Sequence, residues 1–219
     1  MAYKAVLFDL DGTLLDTLED LANSMNRVLA AQGFPTHPID AYRYFVGDGL
    51  QMLVARTVPE EQRSDEVVIN ESIRRFNADY GQSWNIKTRP YEGVPEMLDT
   101  LGTRGLPLAI LSNKPHAFTQ HCVSALLADW PFAVVLGQRE GIPRKPDPAG
   151  AVEIAEMLNV LPAEFLYLGD TGTDMQTAVA AGMFPVGVLW GFRTREELQQ
   201  NGAQVLLDRP ADLFSLLSP

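Results

Sequence analysis

The run Ala5-Val6-Leu7-Phe8 and the turn it enters, Asp9-Leu10-Asp11-Gly12-Thr13, constrain the fold more than any other stretch of the 219 residues. Four successive apolar residues suit a strand covered on both faces, as strands of parallel sheets are. Open parallel sheets gather their chemistry at the carboxyl ends of the strands, and Asp9 stands at such an end. The i, i+2 spacing puts Asp9 and Asp11 on one side of an extended segment. Gly12 permits a sharp turn with exposed N–H groups, and Thr13 adds a hydroxyl.

The pattern then becomes helical. Thr17 with Asp20 three residues on reads as a capping box. Leu18, Leu21, Ala22, Met25, Val28 and Leu29 recur at steps of three and four, and Gly33 closes the helix. Further helical patterns cover 39–45, 50–58 and about 60–80, the last with Val67, Val68, Ile73 and Phe76 on its apolar side. From Ile86 strands alternate with helices, with strands expected at 106–111, 132–136, 165–168 and 185–190. The tail from Arg193 reads as two short helices around an apolar Val205-Leu206-Leu207 segment. This alternation predicts an α/β fold with a Rossmann-like parallel sheet. The core is expected to comprise 1–15 and 86–219, with a small helical-bundle cap, 16–85, inserted after the first strand.

Composition bounds the partners. With 46% hydrophobic and 21% charged residues the chain can bury a sizeable core. A formal net charge of −11 argues against nucleic acid and membrane surfaces. It leaves room for a small anion met by a local cluster of opposite sign. The single cysteine, Cys122, cannot form an internal disulfide and is read as packing. No signal peptide is evident, and no apolar stretch approaches the roughly 18 residues of a membrane span. A cytoplasmic location, as monomer or homodimer, is the expectation.

Three more expected strand ends carry polar groups: Ser112-Asn113, Lys145 before Pro146, and Gly169-Asp170-Thr171-Gly172-Thr173-Asp174. Taken singly they read as a Ser/Thr turn, a solvated lysine and a helix cap. Taken in order with Asp9-Leu10-Asp11-Gly12-Thr13, they resemble the four motifs of the haloacid dehalogenase (HAD) superfamily. The resemblance is closest to its phosphoglycolate phosphatase-like branch. It rests on the helical insertion, on Tyr91-Glu92-Gly93-Val94, and on the string from Gly169 through Ala181-Gly182-Met183 to Trp190-Gly191.

The resemblance implies a phosphomonoester hydrolase working through an aspartyl-phosphate. Asp9 is then the nucleophile and Asp11 the general acid and base. Thr13, Ser112, Asn113 and Lys145 hold the phosphoryl group, with Lys145 also supplying charge to the transition state. Asp9, the Asp11 carbonyl and Asp170 bind Mg²⁺, and Asp174 supports the ion from behind or orients Lys145. The physics of the site agrees: carboxylates 4 Å apart repel by roughly 4 kcal/mol at an effective dielectric near 20, so such a cluster needs a cation or holds protons. Oxygen ligands without His or Cys suit Mg²⁺. Gly47-Asp48-Gly49 and Arg56 in the cap are candidates for substrate choice, and Lys114, His116, Arg139 and Arg144 for the entrance. The implied substrate is 2-phosphoglycolate. The alternatives are a sugar phosphomutase, or a phosphatase for a hexose phosphate, a nucleotide or pyrophosphate. A non-enzymatic phosphate-ligand binder ranks well below these.

Overall fold

The structure, a computed structural model, describes residues 3–217. Up to residue 90 the elements are β1 (Ala5–Phe8), β2 (Leu15–Asp16), α1 (Leu18–Ala31), α2 (Tyr42–Phe45), α3 (Leu50–Thr57), α4 (Glu66–Ser83) and β3 (Arg89–Pro90). Then come α5 (Val94–Thr103), β4 (Leu108–Pro115), α6 (His116–Leu126), β5 (Phe132–Gln138), α7 (Ala149–Leu158), β6 (Phe165–Gly169), α8 (Gly172–Ala181), β7 (Phe184–Val188), α9 (Arg195–Gln200) and β8 (Val205–Leu207). Contacts divide the chain into two compact units. One holds the chain to Leu15 and from Pro90 onward; the other is Asp16–Arg89.

In the first unit six strands form one parallel sheet in the order β5-β4-β1-β6-β7-β8. The four residues of β1 are fully buried, so the apolar run at the N-terminus forms an interior strand of the sheet, between β4 and β6. Alternate residues, Ala5 and Leu7, Ala109 and Leu111, Val134 and Leu136, Phe165 and Tyr167, pack on Ala151, Ile154 and Ala155 of α7 and Ala178 and Ala181 of α8. The chain runs outward from β1 through β4 to β5, then returns to β6 on the other side of β1. Such a reversal of strand order opens a crevice at the carboxyl ends.

Two strands differ from expectation. β4 continues through Ser112, Asn113 and Lys114 to Pro115, because β5 extends alongside it with a register shift between Leu111 and Pro115. The Val205–Leu207 segment, set between tail helices by its sequence, pairs with β7 and forms the sheet edge.

The second unit is helical. Its expected end at residue 85 moves to Arg89, because the backbone N–H groups of Lys87 and Thr88 and the Thr88 hydroxyl all donate to Asp20 Oδ2 at 2.8 Å. Asp20 is thus committed to this strap, and the expected capping box does not form; the Thr17 hydroxyl makes no side-chain cap bond. The last helix starts at Glu66 rather than near 60, since Asp65 caps it through Val67 N and Val68 N. Of the residues expected on its apolar side Phe76 is buried, while Val67 is exposed and Ile69, Ser72 and Tyr80 complete the buried face.

Candidate active site

Four β-strands of the sheet deliver polar side chains to one edge. Asp9 follows β1, with its N–H donating to Leu168 O of the neighbouring strand. The turn beyond it is fixed by Leu10, whose carbonyl receives the N–H groups of Thr13, Leu14 and Leu15. Asp11 lies two residues on, and its two carboxylate oxygens accept from Lys114 Nζ at 2.8 and 3.0 Å. Lys145, in the loop after β5, donates to Asp9 Oδ1 at 2.8 Å, to Asp174 Oδ1 at 2.7 Å and to Leu111 O at 3.1 Å. Asp170 follows β6 and is fully buried. It accepts from the Thr13 hydroxyl at 3.1 Å and from Phe192 N at 2.9 Å.

Asp174 sits in the first turn of α8 and closes a capping box with Thr171. Its Oδ2 takes the Thr171 N–H and hydroxyl, and its Oδ1 takes Lys145 and, at 3.4 Å, the Tyr167 hydroxyl. The segment after β7 closes over the turn. Trp190 Nε1 donates to Thr13 O at 2.9 Å, and Gly191 lies so close to Asp170 and the Gly12 carbonyl that any Cβ there would collide.

Oxygens of Asp9, Asp170 and Asp174 lie within 4.8 Å of one another. The electrostatic consequence is large. Burial pushes Asp9 well above the usual carboxylate range; Lys145 opposes this, while Asp174 and Asp170 add to it. Burial, reinforced by Asp174, pushes Asp170 up to about 7, against the Phe192 N–H, Arg193 and the Thr13 hydroxyl. For Lys145 burial acts downward, but Asp174 and Asp9 outweigh it and hold the ammonium well above the lysine range. The cluster carries more buried negative charge than one lysine compensates.

Residues 6–188 match the haloacid dehalogenase-like hydrolase family. The chain belongs to that family. Proteins named phosphoglycolate phosphatase from Pseudomonas putida and Haemophilus influenzae are each 31% identical to it, over 98% of this chain and 78% and 98% of the respective relatives. A crystal structure from Lactobacillus delbrueckii subsp. bulgaricus, provisionally called a phosphoglycolate phosphatase, is 31% identical and superposes with a TM-score of 0.92 over 100% of both chains.

For a haloacid dehalogenase-like hydrolase the donor set fits a hard divalent cation. Asp9 and Asp170 offer buried carboxylate oxygens, with no His or Cys among the clustered groups. Asp174 is engaged by Lys145 and its own helix cap. The other residues expected to hold the phosphoryl group have the following partners. The Thr13 hydroxyl is turned onto Asp170. The Asn113 side-chain amide pairs in both directions with the Lys145 backbone, at 3.0 and 3.2 Å, bracing the loop that carries the lysine. Ser112 Oγ accepts Lys114 N at 3.2 Å.

In the helical unit Gly47 and Gly49 both have positive φ, 123° and 88°, and between them Asp48 pairs with Arg56. Arg56 also donates to the carbonyls of Phe45 and Tyr44, so its guanidinium braces this loop. His116 Nδ1 accepts Gly137 N, and Arg139 pairs with Glu153, which ties these two of the four expected entrance residues into the fold. Burial pushes the Cys122 thiol up to about 12, in keeping with packing. Sequence reasoning did not foresee the pairing of Lys114 with Asp11, the place of Tyr167 at the site or the closure of the Trp190–Phe192 segment over the turn. A tyrosine within the otherwise apolar Phe165–Leu168 run was the available signal for one of them.

Proposed function

We propose that the protein is a Mg²⁺-dependent phosphomonoesterase that forms an aspartyl-phosphate on Asp9, with 2-phosphoglycolate as its substrate. The observation that carries the reading is the Asp9 carboxylate at the end of an interior strand. A buried lysine stands 2.8 Å from it, with a second buried acid, Asp170, in the same cluster and Asp11 two residues on. The names of the 31%-identical relatives support the substrate.

In the first half-reaction an Asp9 oxygen attacks phosphorus and the bond to the leaving oxygen breaks. The leaving oxygen keeps the electron pair and takes a proton from Asp11. In the second, a water oxygen attacks phosphorus and passes a proton to Asp11, the Asp9–phosphorus bond breaks, and phosphate leaves. Lys145 places positive charge where the transferring oxygens gather it, and Asp174 keeps that ammonium protonated and aimed. Bound Mg²⁺ supplies charge neutralisation between the nucleophile and the phosphate dianion.

The test is phosphate release from 2-phosphoglycolate, hexose phosphates, nucleoside monophosphates and pyrophosphate, with Mg²⁺ or EDTA, for the protein and for Asp9→Asn. The expected result is Mg²⁺-dependent release concentrated on 2-phosphoglycolate and lost in Asp9→Asn. Release from another compound moves the substrate and keeps the mechanism. Silence across the panel overturns the reading.

A further inference from the structure

Lys114 is a buried lysine with no role in the mechanism above. Its side chain is 7% exposed and that of its partner Asp11 14%. A buried ion pair is a weak source of stability, because desolvation offsets attraction and an apolar pair of equal volume does as well. Stability alone therefore does not account for a lysine and an acid at this strand end, although removing one of the two would leave the other charge unpaired. What the lysine does have is an unusually fixed position. Its N–H donates to Ser112 Oγ, and its carbonyl receives the Thr119 hydroxyl at 3.1 Å. Gly137 fits against it only for want of a side chain, since a Cβ there would lie 2.6 Å from the Lys114 carbonyl. Its ammonium lies 5.5 Å from the Phe118 ring centroid, within cation–π range. From this mount it reaches both oxygens of Asp11.

An aspartate on a tight turn has two free side-chain torsions. A general acid must be held within hydrogen-bond reach of the oxygen it serves. We infer that Lys114 is a positioning residue that holds Asp11 in its working orientation, keeping one carboxyl oxygen while the other carries the proton that is given to the leaving oxygen and later taken from water. The inference rests on the phosphatase reading above and adds a residue to it. Lys114 touches neither the transferring phosphoryl group nor the nucleophile in this account; it acts through Asp11 alone.

Lys114→Met keeps an unbranched stem beside Phe118 and removes the ammonium. The experiment compares it with the parent on 2-phosphoglycolate, whose alkoxide leaves only with a proton, and on p-nitrophenyl phosphate, whose leaving group needs none. General acid–base catalysis contributes about 10²–10⁴-fold, so loss of its positioning alone should lower turnover of 2-phosphoglycolate by about 10- to 100-fold. With p-nitrophenyl phosphate the first step should survive, and acid quenching should trap phosphoenzyme that the parent does not accumulate. In an Asp11→Asn background, Lys114→Met should change turnover by less than about twofold, because coupled residues are non-additive. Lys114→Arg, which keeps a cation, should fall between parent and Met variant and serves the comparison if the Met variant fails to fold. Equal losses on both substrates without trapped phosphoenzyme, or losses that multiply with Asp11→Asn, overturn the inference. An unaffected Lys114→Met in an active parent overturns it alone. A parent silent on every substrate overturns the phosphatase reading as well.

Discussion

A methyl group at position 12 would strike the Asp170 carboxylate, and Gly12 also holds φ at 91°, where a side chain is strained. Gly12→Ala should therefore displace Asp170 or the turn. A misplacement of about 1 Å at a reacting centre costs on the order of 10²-fold, and that loss of phosphate release is the expected outcome, measured beside the melting curve. The residues legible in the sequence were those whose position along one strand decides their place: Asp9 at a strand end, Asp11 two residues on, Asp170 after another apolar run. Those that were not legible depend on partners far along the chain. The Thr13 hydroxyl meets Asp170, the Asn113 amide meets Lys145, and Trp190 meets the Thr13 carbonyl. No local pattern records which strand end will stand beside which.

At the scale of elements, Asp20 shows how a strong local signal yields to a distant one. Thr17 and Asp20 have the spacing of a capping box, but the Asp20 carboxylate serves three donors at Lys87 and Thr88. One cap bond is outnumbered by three donors satisfied at a buried site, even though the Thr17 hydroxyl, itself buried, is left without a partner. Asp20→Ala would strand those donors, at roughly 1–3 kcal/mol for a buried unsatisfied group, so a total loss of about 3 kcal/mol is expected. Urea unfolding followed by helical circular dichroism checks it, and an unchanged midpoint would remove the strap from the account. Helix and strand identities were legible because their periods differ. Boundaries shifted where pairing or capping overrode the period: β4 ran on beside β5, and Asp65 set the start of α4.

For the whole molecule, the alternation of strand and helix patterns was enough to foresee a parallel sheet. The same signal left the edge strand β8 unseen, because three apolar residues show no period. No helix among the described residues is long and apolar enough to cross a membrane. The buried acids make the folded chain a better cation ligand than the unfolded one, so the cation should stabilise it measurably. At Mg²⁺ about a hundredfold above its dissociation constant the gain is about 2.7 kcal/mol, or roughly 5–10 °C in thermal midpoint for a chain of this size. Asp170→Asn should abolish that shift. A midpoint indifferent to Mg²⁺ in the parent protein would count against the cation site whatever the activity.

The place of β1 between β4 and β6 has a consequence for how the chain is made. Ala5 lies opposite Phe165, and Val6 opposite Leu108, so β1 waits for its second partner until synthesis has passed from Ala5 to Phe165. At about 5–20 residues per second, that interval is roughly 8–30 s. Throughout it four wholly apolar residues and an unpaired strand edge stand open to other nascent chains, while the contiguous helical segment has all its own residues at hand. A pause or a premature stop before β6 would leave a product with β1 unpaired on one side and prone to adhere to other chains.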